Sequence, residues 1–255
     1  MSQSYLNAVA ELATIAGDFA MSHYGRELVV DTKRDGSPVT IADRGAEQRA
    51  RAWIGEHFPE DGILGEEFDD VRPDAQRRWI VDPIDGTKSF VRTVPLWGTL
   101  VAVAEGESIL AGCAYFPAVS ETIVAGAGEG CFWNGTRCAV SSRTTISEST
   151  ILTTDDRFPE RPDRAVAWQR LALAAGVSRT WGDCYGYLLV ATGRAEVMVD
   201  DIVSPWDAAA LYPIITEAGG SFTDWRGRPT AFGGDIIATN SALARPVRDI
   251  LIQKP

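Results

Sequence analysis

The sequence predicts a mixed α/β fold in two halves: residues 1–145 form an α+β half on an antiparallel sheet, and residues 146–255 form an α/β half. Three observations predict it. Near the N-terminus, Leu6, Val9, Leu12, Ala13, Ala16, Phe19 and Ala20 recur at helical spacing. Residues 99–103, 109–115 and 122–125 are β-like runs separated only by turn residues such as Glu105-Gly106 and Pro117, which reads as an antiparallel meander. After about residue 145 strands alternate with helices, the pattern of an α/β unit. No linker, internal repeat or low-complexity tract separates the halves, so one compact unit is expected.

The first helix is amphipathic and ends near Gly25. Residues 27–32 alternate weakly, as a strand would, and residues 33–38 (KRDGSP) carry turn chemistry. Residues 40–57 read as a second helix, broken by Pro59-Glu60-Asp61-Gly62. Ile63-Leu64 then leads into Gly65-Glu66-Glu67. Residues 78–81 form a strand expected to stop at Asp82-Pro83, because Pro83 has no N–H for a continuing ladder. Residues 126–130 (GAGEG) look superficially like a dinucleotide fingerprint. They lie between β-like runs with no helix after them, so they read as a hairpin turn. In the second half, residues 151–153, 195–199 and 236–238 read as strands, and residues 165–175 and 185–192 as helices. Residues 207–218 read as a helix kinked at Pro213 and closed by Gly219-Gly220. Residues 242–251 form a closing helix with Pro246 near its start.

Composition narrows the function. A chain of 255 residues can bury a core without staples. With 45% hydrophobic and 23% charged residues it is of ordinary globular make-up, which excludes collagenous, fibrous and disordered classes. No apolar run approaches the roughly twenty residues of a membrane-spanning helix, so no membrane partner is expected. Lys and Arg number 24 against 35 Asp and Glu, a balance of −11. Such a surface repels phosphate backbones, and no nucleic-acid partner is expected. A small phosphorylated substrate remains open, because an excess of carboxylates can hold the cations that recruit it. Cys113, Cys131, Cys138 and Cys184 form no CxxC, which argues against zinc ribbons, thioredoxin-like motifs and haem attachment. They read as small buried side chains of a reduced chain. The first twenty residues carry Glu11 and Asp18 and no basic run, unlike a signal peptide. A cytoplasmic protein is the expectation.

The candidate chemistry belongs to carboxylates. His23 and His57, the two histidines, fall on predicted helices, and neither a G-x-S-x-G elbow nor a P-loop is present. In Asp82-Pro83-Ile84-Asp85-Gly86-Thr87, two carboxylates three residues apart across a turn can converge, with the Ile84 carbonyl between them. Gly86 lets the backbone pass close to a ligand. The N–H groups of Gly86 and Thr87 can meet an anion if a helix starts here. This layout suits oxygen-seeking divalent cations. The structural alternative is an ordinary Asp-Pro turn with Asp85 as an N-cap. Asp207 opens an apolar helix, where an acid meets the helix dipole favourably. Capping alone would explain Asp207, but together with the other carboxylates a convergent metal site is the simpler account.

Three blocks carry a resemblance: Gly65-Glu66-Glu67, then Trp79-Ile80-Val81-Asp82-Pro83-Ile84-Asp85-Gly86-Thr87, then Trp206-Asp207-Ala208-Ala209 continuing to Glu217-Ala218-Gly219-Gly220. With them the chain resembles, over essentially its whole length, the inositol monophosphatase family of Mg²⁺-dependent, lithium-sensitive phosphatases. The resemblance implies a layered αβαβα sandwich, a homodimer, and cleavage of a phosphate monoester with two or three Mg²⁺; Mn²⁺ suits the same ligands. Carried over by position, Glu66, Asp82, the Ile84 carbonyl, Asp85 and Asp207 would be metal ligands, most of them from the first half. Glu67 would serve a third ion through water. Thr87 with Asp43 would position and activate the attacking water, and Glu66 belongs to the same catalytic group. Lys33 would lie in the loop that covers the site. Bound cations lower the pKa of water and neutralise charge on the leaving oxygen, so no covalent nucleophile is required.

The substrate is read from departures within the family. Gly182-Asp183-Cys184-Tyr185-Gly186-Tyr187, and Gly86-Thr87-Lys88-Ser89-Phe90 with Pro95-Leu96-Trp97-Gly98-Thr99-Leu100, resemble the histidinol-phosphatase branch. Asp183 places a carboxylate where the leaving alcohol should sit. It could pair with an ammonium group, with Asp200 in support; an uncharged polyol gains less from a buried acid. Asp85, Gly86, Thr87 and Asp207 complete the expected substrate contacts, with Cys184 a further candidate. Helix capping of residues 185–192 is the alternative for Asp183, and a solvent-facing side chain the alternative for Asp200. The expected function is Mg²⁺-dependent hydrolysis of L-histidinol phosphate, a step of histidine biosynthesis. The alternatives are an inositol 1-phosphate or broad sugar monophosphatase, and a non-catalytic binding protein on the same fold.

Overall fold

In the computed structural model, which describes residues 5–33 and 36–252, the apolar stripe of the first helix, α1 (Tyr5–Met21), is buried along Ala8, Val9, Leu12, Ala13, Ala16 and Ala20. Leu12 has no exposed surface, and truncating it to Ala would cost about 2–5 kcal/mol. The strand expected over 27–32 contracts to β1 (Asp31–Thr32), which pairs with β2 (Pro38–Val39). Of the turn between them, Arg34 and Asp35 lie outside the described residues. α2 (Ile41–His57) starts from a capping box: Thr40 Oγ1 accepts from the Ala42 N–H, and Asp43 Oδ2 accepts from the Thr40 N–H at 2.7 Å. Its buried stripe, Ala42, Ala46, Ala50, Trp53 and Ile54, shares one core with α1.

β3 (Gly62–Gly65) pairs in parallel with β4 (Arg77–Asp85). Contrary to the expected stop at Asp82-Pro83, β4 runs on to Asp85. Beyond Val81 it is paired on one side only, and between Asp82 and Asp85 it carries one residue more than the facing segment from Leu100 to Gly98. Pro83 falls in this bulge, where a missing N–H breaks no ladder bond. Its carbonyl still accepts from Thr99 Oγ1 at 2.8 Å. The short helix α3 (Thr87–Phe90) follows. The meander is β5 (Gly98–Glu105), β6 (Ser108–Phe116), β7 (Glu121–Gly126), β8 (Gly130–Trp133) and β9 (Thr136–Arg137). It gives a seven-stranded sheet of order β3-β4-β5-β6-β7-β8-β9, antiparallel after the first pair. The GAGEG segment is the β7–β8 turn, as its flanks indicated.

The second half contains β10 (Thr150–Leu152), α4 (Pro162–Ala174), β11 (Val177–Arg179), α5 (Asp183–Ala191) and β12 (Val197–Asp200). α6 (Pro205–Ala208), α7 (Leu211–Glu217), β13 (Gly220–Thr223), β14 (Ile236–Asn240) and α8 (Ala244–Ile252) complete it. Its sheet runs β11-β10-β12-β14-β13, with β10 parallel to both neighbours. The single helix expected over 207–218 is two helices. Pro213 cannot donate to the carbonyl of Ala209 and crowds it, so the interruption falls one turn before the proline rather than at it. β11 and β13 went unforeseen: β11 is three residues long, and β13 begins on the glycine that reads as a helix stop.

Five layers result. α1 and α2 cover one face of the large sheet; α5, α6 and α7 lie between the sheets; α4 and α8 cover the outer face of the small sheet. This is the expected αβαβα sandwich. Because β5 is covered on both faces, every residue from Gly98 to Ala104 is buried and no polar alternation shows. The four cysteines are free thiols, three of them buried, with the Cys131 and Cys138 sulfurs 3.6 Å apart. Among the described residues no helix is long and apolar enough to cross a membrane.

Candidate metal centre and adjoining cavity

The β4 bulge shapes the site. Asp82 Oδ1 accepts from the Ile84 N–H at 3.0 Å, which folds the strand end back on itself. Asp207 arrives from the first turn of α6, where its Oδ2 accepts from the Ser204 N–H at 2.6 Å in a second capping box. Capping and convergence are therefore compatible: one oxygen of Asp207 holds the helix start and the other is available. One oxygen each of Asp82, Asp85 and Asp207 lie within 4.8 Å of one another. Asp85 does not cap α3, whose N-cap is Gly86 without a side-chain bond. Its Oδ2 instead accepts from the backbone N–H of Cys184 in the first turn of α5.

Glu66 and Glu67 follow β3 and face Lys33, whose Nζ lies 2.6 Å from Glu66 Oε1 and 2.7 Å from Glu67 Oε1. The Thr87 hydroxyl lies 2.9 Å from the Ile84 carbonyl and 3.2 Å from Asp43 Oδ1. Asp43, fully buried, is in turn fixed through Oδ2 by both the backbone N–H and the hydroxyl of Thr40. Gly86 has φ +87°, and a Cβ there would lie 3.0 Å from the Leu96 carbonyl and 3.1 Å from Asp183 Oδ2. Only glycine fits that turn.

The electrostatics show what the cluster lacks. Burial, then Glu66, Asp85 and Asp207, hold the Asp82 carboxyl well above the ordinary carboxylate range. Burial, then Asp183 and Asp207, do the same to Asp85. Burial foremost pushes Asp207 up to about 7 and Glu67 up to about 7. Burial works against the Lys33 ammonium, but its bonds to Glu66 and Glu67 outweigh that and hold its pKa above the ordinary lysine value. These carboxylates repel one another with one lysine as counter-charge. All the donors are hard oxygens, carboxylate or carbonyl, with no imidazole or thiolate among them. That set fits Mg²⁺, Mn²⁺ or Ca²⁺ rather than a soft metal.

Next to this centre is a cavity of about 150 Å³ whose lining includes Asp85, Asp183, Cys184, Tyr187, Asp200 and Asp207. Asp183 is the first residue of α5 and half-buried; the N-cap is Gly182, and no side-chain cap bond is made. Burial, with Asp200 adding, pushes its carboxyl up to about 6, while Lys88 and a hydrogen bond from Ser89 act in the opposite sense. Asp200 is turned inward, not to solvent: Oδ1 accepts from the Thr154 N–H at 3.0 Å and Oδ2 from the Tyr187 hydroxyl at 2.8 Å. The Cys184 thiol is buried, and burial followed by Asp85 raises it.

Two supporting elements escaped the sequence reading. Glu47 is fully buried and holds the loop after β3, its Oε2 accepting from the Glu67 N–H at 2.7 Å while Oε1 pairs with Arg51. The available signal was an acid and a base at i,i+4 on the alanine-rich face of α2. Thr154, just past β10, carried no motif signal.

A sequence model of the inositol monophosphatase family matches residues 1–251. A histidinol-phosphatase of Chlorobaculum parvum is 45% identical over 242 residues, covering 94% of this chain and 93% of that one. A histidinol-phosphatase of Mycobacterium tuberculosis is 36% identical, covering 95% and 96%. The crystal structure of the extragenic suppressor protein suhB from Bartonella henselae superposes with a TM-score of 0.93 at 29% identity, covering 99% of this chain and 100% of that one.

Proposed function

The chain belongs to the inositol monophosphatase family and is a phosphatase, and from that premise we propose that it hydrolyses L-histidinol phosphate to L-histidinol and phosphate with Mg²⁺. The observation that carries the substrate is the Asp183 carboxylate beside Gly86, in the cavity adjoining Asp85 and Asp207. L-Histidinol carries a primary ammonium and an imidazole, and a half-buried carboxylate beside the leaving oxygen complements that charge. The 45% and 36% identical relatives named histidinol-phosphatase support the same reading.

Glu66, Asp82, the Ile84 carbonyl, Asp85 and Asp207 would hold the cations, with Glu67 reaching a further one through water. Bound Mg²⁺ supplies acidification of the attacking water and neutralises charge on the phosphoryl and leaving oxygens. The residues do the rest. Thr87 donates its hydroxyl proton toward Asp43 and keeps lone pairs that accept from the attacking water. Asp43, anchored by Thr40, fixes the direction of that donation. Gly86, at φ +87°, holds the turn from Asp85 into Thr87, where a Cβ would press on the Leu96 carbonyl and Asp183. A homodimer is carried from the family resemblance, and a cytoplasmic location from the cysteine usage and N-terminal composition.

The test is phosphate release with Mg²⁺ from L-histidinol phosphate and from inositol 1-phosphate, for the wild type and Asp183→Asn. A wild-type preference in kcat/KM for histidinol phosphate that Asp183→Asn abolishes supports the reading. Equal rates on both monoesters would leave a broad monophosphatase, and no release from either would remove the activity.

A further inference from the structure

Asp183 begins α5 and Asp200 ends β12, so nothing in the sequence ties one to the other. A single residue ties them in space. Thr154 lies two residues past the end of β10, which is parallel to both β11 and β12. This is the carboxyl end of parallel strands, where open α/β sheets receive ligands. The Thr154 N–H donates to Asp200 Oδ1 at 3.0 Å, and Thr154 Oγ1 accepts from the Asp183 N–H at 2.9 Å. The main chain of Thr154 thus holds one cavity carboxylate and its side chain holds the backbone of the other.

The second bond is made under constraint. Asp183 has φ +49°, a left-handed conformation that side-chain-bearing residues seldom adopt. Gly182 is pressed directly onto Thr154; a Cβ at 182 would lie 2.8 Å from Thr154 Oγ1 and closer still to its Cα. The chain turns sharply against Thr154, and the hydroxyl takes up the Asp183 N–H at that turn. This conformation brings Asp183 Oδ2 over Gly86 and into reach of the Ser89 hydroxyl. Asp200 has its other oxygen on Tyr187, and the Thr154 hydroxyl, while accepting from the Asp183 N–H, also bonds the Asp200 carboxylate, so one side chain serves both acids.

We propose that Thr154 is a positioning residue for leaving-group selectivity: its hydroxyl fixes the backbone of Asp183 so that the carboxylate faces an ammonium-bearing alcohol beside Asp200. This rests on the reading of the substrate as L-histidinol phosphate. Thr154 is exposed at the cavity and outside the apolar cores, so its replacement leaves the fold intact.

The experiment compares wild type, Thr154→Val, which keeps the shape, and Thr154→Ser, which keeps the hydroxyl. Steady-state kinetics with Mg²⁺ are measured on L-histidinol phosphate and inositol 1-phosphate, and L-histidinol binding is measured by calorimetry. Thr154→Val should raise KM for histidinol phosphate and weaken L-histidinol binding, each about tenfold, the effect of one misplaced charged hydrogen bond. Its kcat, and both constants for inositol 1-phosphate, should stay near wild type, and Thr154→Ser should restore the lost affinity. Wild-type KM in Thr154→Val overturns the proposal, as does an equal loss on both substrates that serine does not rescue. A wild type without preference for histidinol phosphate overturns the substrate reading and this role with it, a result visible before any variant is made.

Discussion

Lys33 Nζ lies 2.6 Å from Glu66 Oε1, so an ammonium neutralises a carboxylate that the family resemblance assigns to metal. Lysine and a divalent cation then compete for the same oxygens. Lys33→Met keeps the length and removes the charge. The metal-free variant should melt below the metal-free wild type, because Glu66 and Glu67 lose their counter-charge. Its Mg²⁺ affinity by calorimetry should tighten several-fold. Weaker Mg²⁺ binding in the variant would show instead that Lys33 assists the cation.

The raised carboxyls predict how metal-free stability follows pH. Asp207 and Glu67 stand at about 7 in the folded chain, against roughly 4 for unfolded carboxyls. A carboxyl with a raised pKa binds its proton more tightly when folded. The stability it confers is complete below the unfolded value and disappears as pH rises through the folded one. In EDTA the melting temperature should therefore fall between pH 5 and pH 8. Saturating Mg²⁺ favours the ionised carboxylates and should flatten or reverse that slope. A melting temperature that rises over this range in EDTA would contradict the assigned crowding of charge.

Thr87 and Asp43 separate chemistry from folding. Thr87→Val removes the hydroxyl proposed above to orient the attacking water, and kcat should fall about 10²–10³-fold, within the range of lost general acid–base groups. KM, Mg²⁺ affinity and melting temperature should barely move. Asp43→Asn should lower kcat as well, and should also destabilise the protein by about 1 kcal/mol, since Asp43 completes the α2 capping box. An unchanged kcat in Thr87→Val would remove this residue from the reaction.

The sequence made some of this legible for definite reasons. α1, α2 and the meander announce themselves because an apolar period or an alternation of strand and turn persists over many residues. Asp82, Asp85 and Asp207 stand out because proline, glycine and a helix start accompany them. The continuation of β4 through Pro83 was hidden, because a proline that falls in a bulge looks, in one dimension, like one that ends a strand. The split between α6 and α7 was displaced by one turn, since a proline acts on the carbonyl four residues before it. Thr154 and Glu47 were hidden more thoroughly. Each acts on a partner brought close only by the fold: an isolated threonine carries no local mark of that task, and the i,i+4 pair of Glu47 with Arg51 marks a helix face but not the Glu67 N–H it holds.

Glu47 also gives the sharpest stability test. Its Oε1 lies 2.7 Å from Arg51 Nε, and Arg51 reaches on to the Phe68 and Asp69 carbonyls at 2.9 Å each. The Glu47 side chain has no exposed surface. Removing Glu47 leaves the part-buried Arg51 guanidinium with only its two carbonyl partners and strips the Glu67 N–H of its acceptor, a loss of about 1–3 kcal/mol. Glu47→Ala should show that loss in urea unfolding. It should also weaken Mg²⁺ binding, because the Glu67 N–H is released and the loop carrying Glu66 and Glu67 slackens. Adding Arg51→Met removes the stranded guanidinium and should recover part of the stability. It should not recover Mg²⁺ affinity, since Glu67 still lacks its anchor. Recovery of both together would mean that the pair acts only through global stability, and that the loop after β3 is held by something other than Glu47.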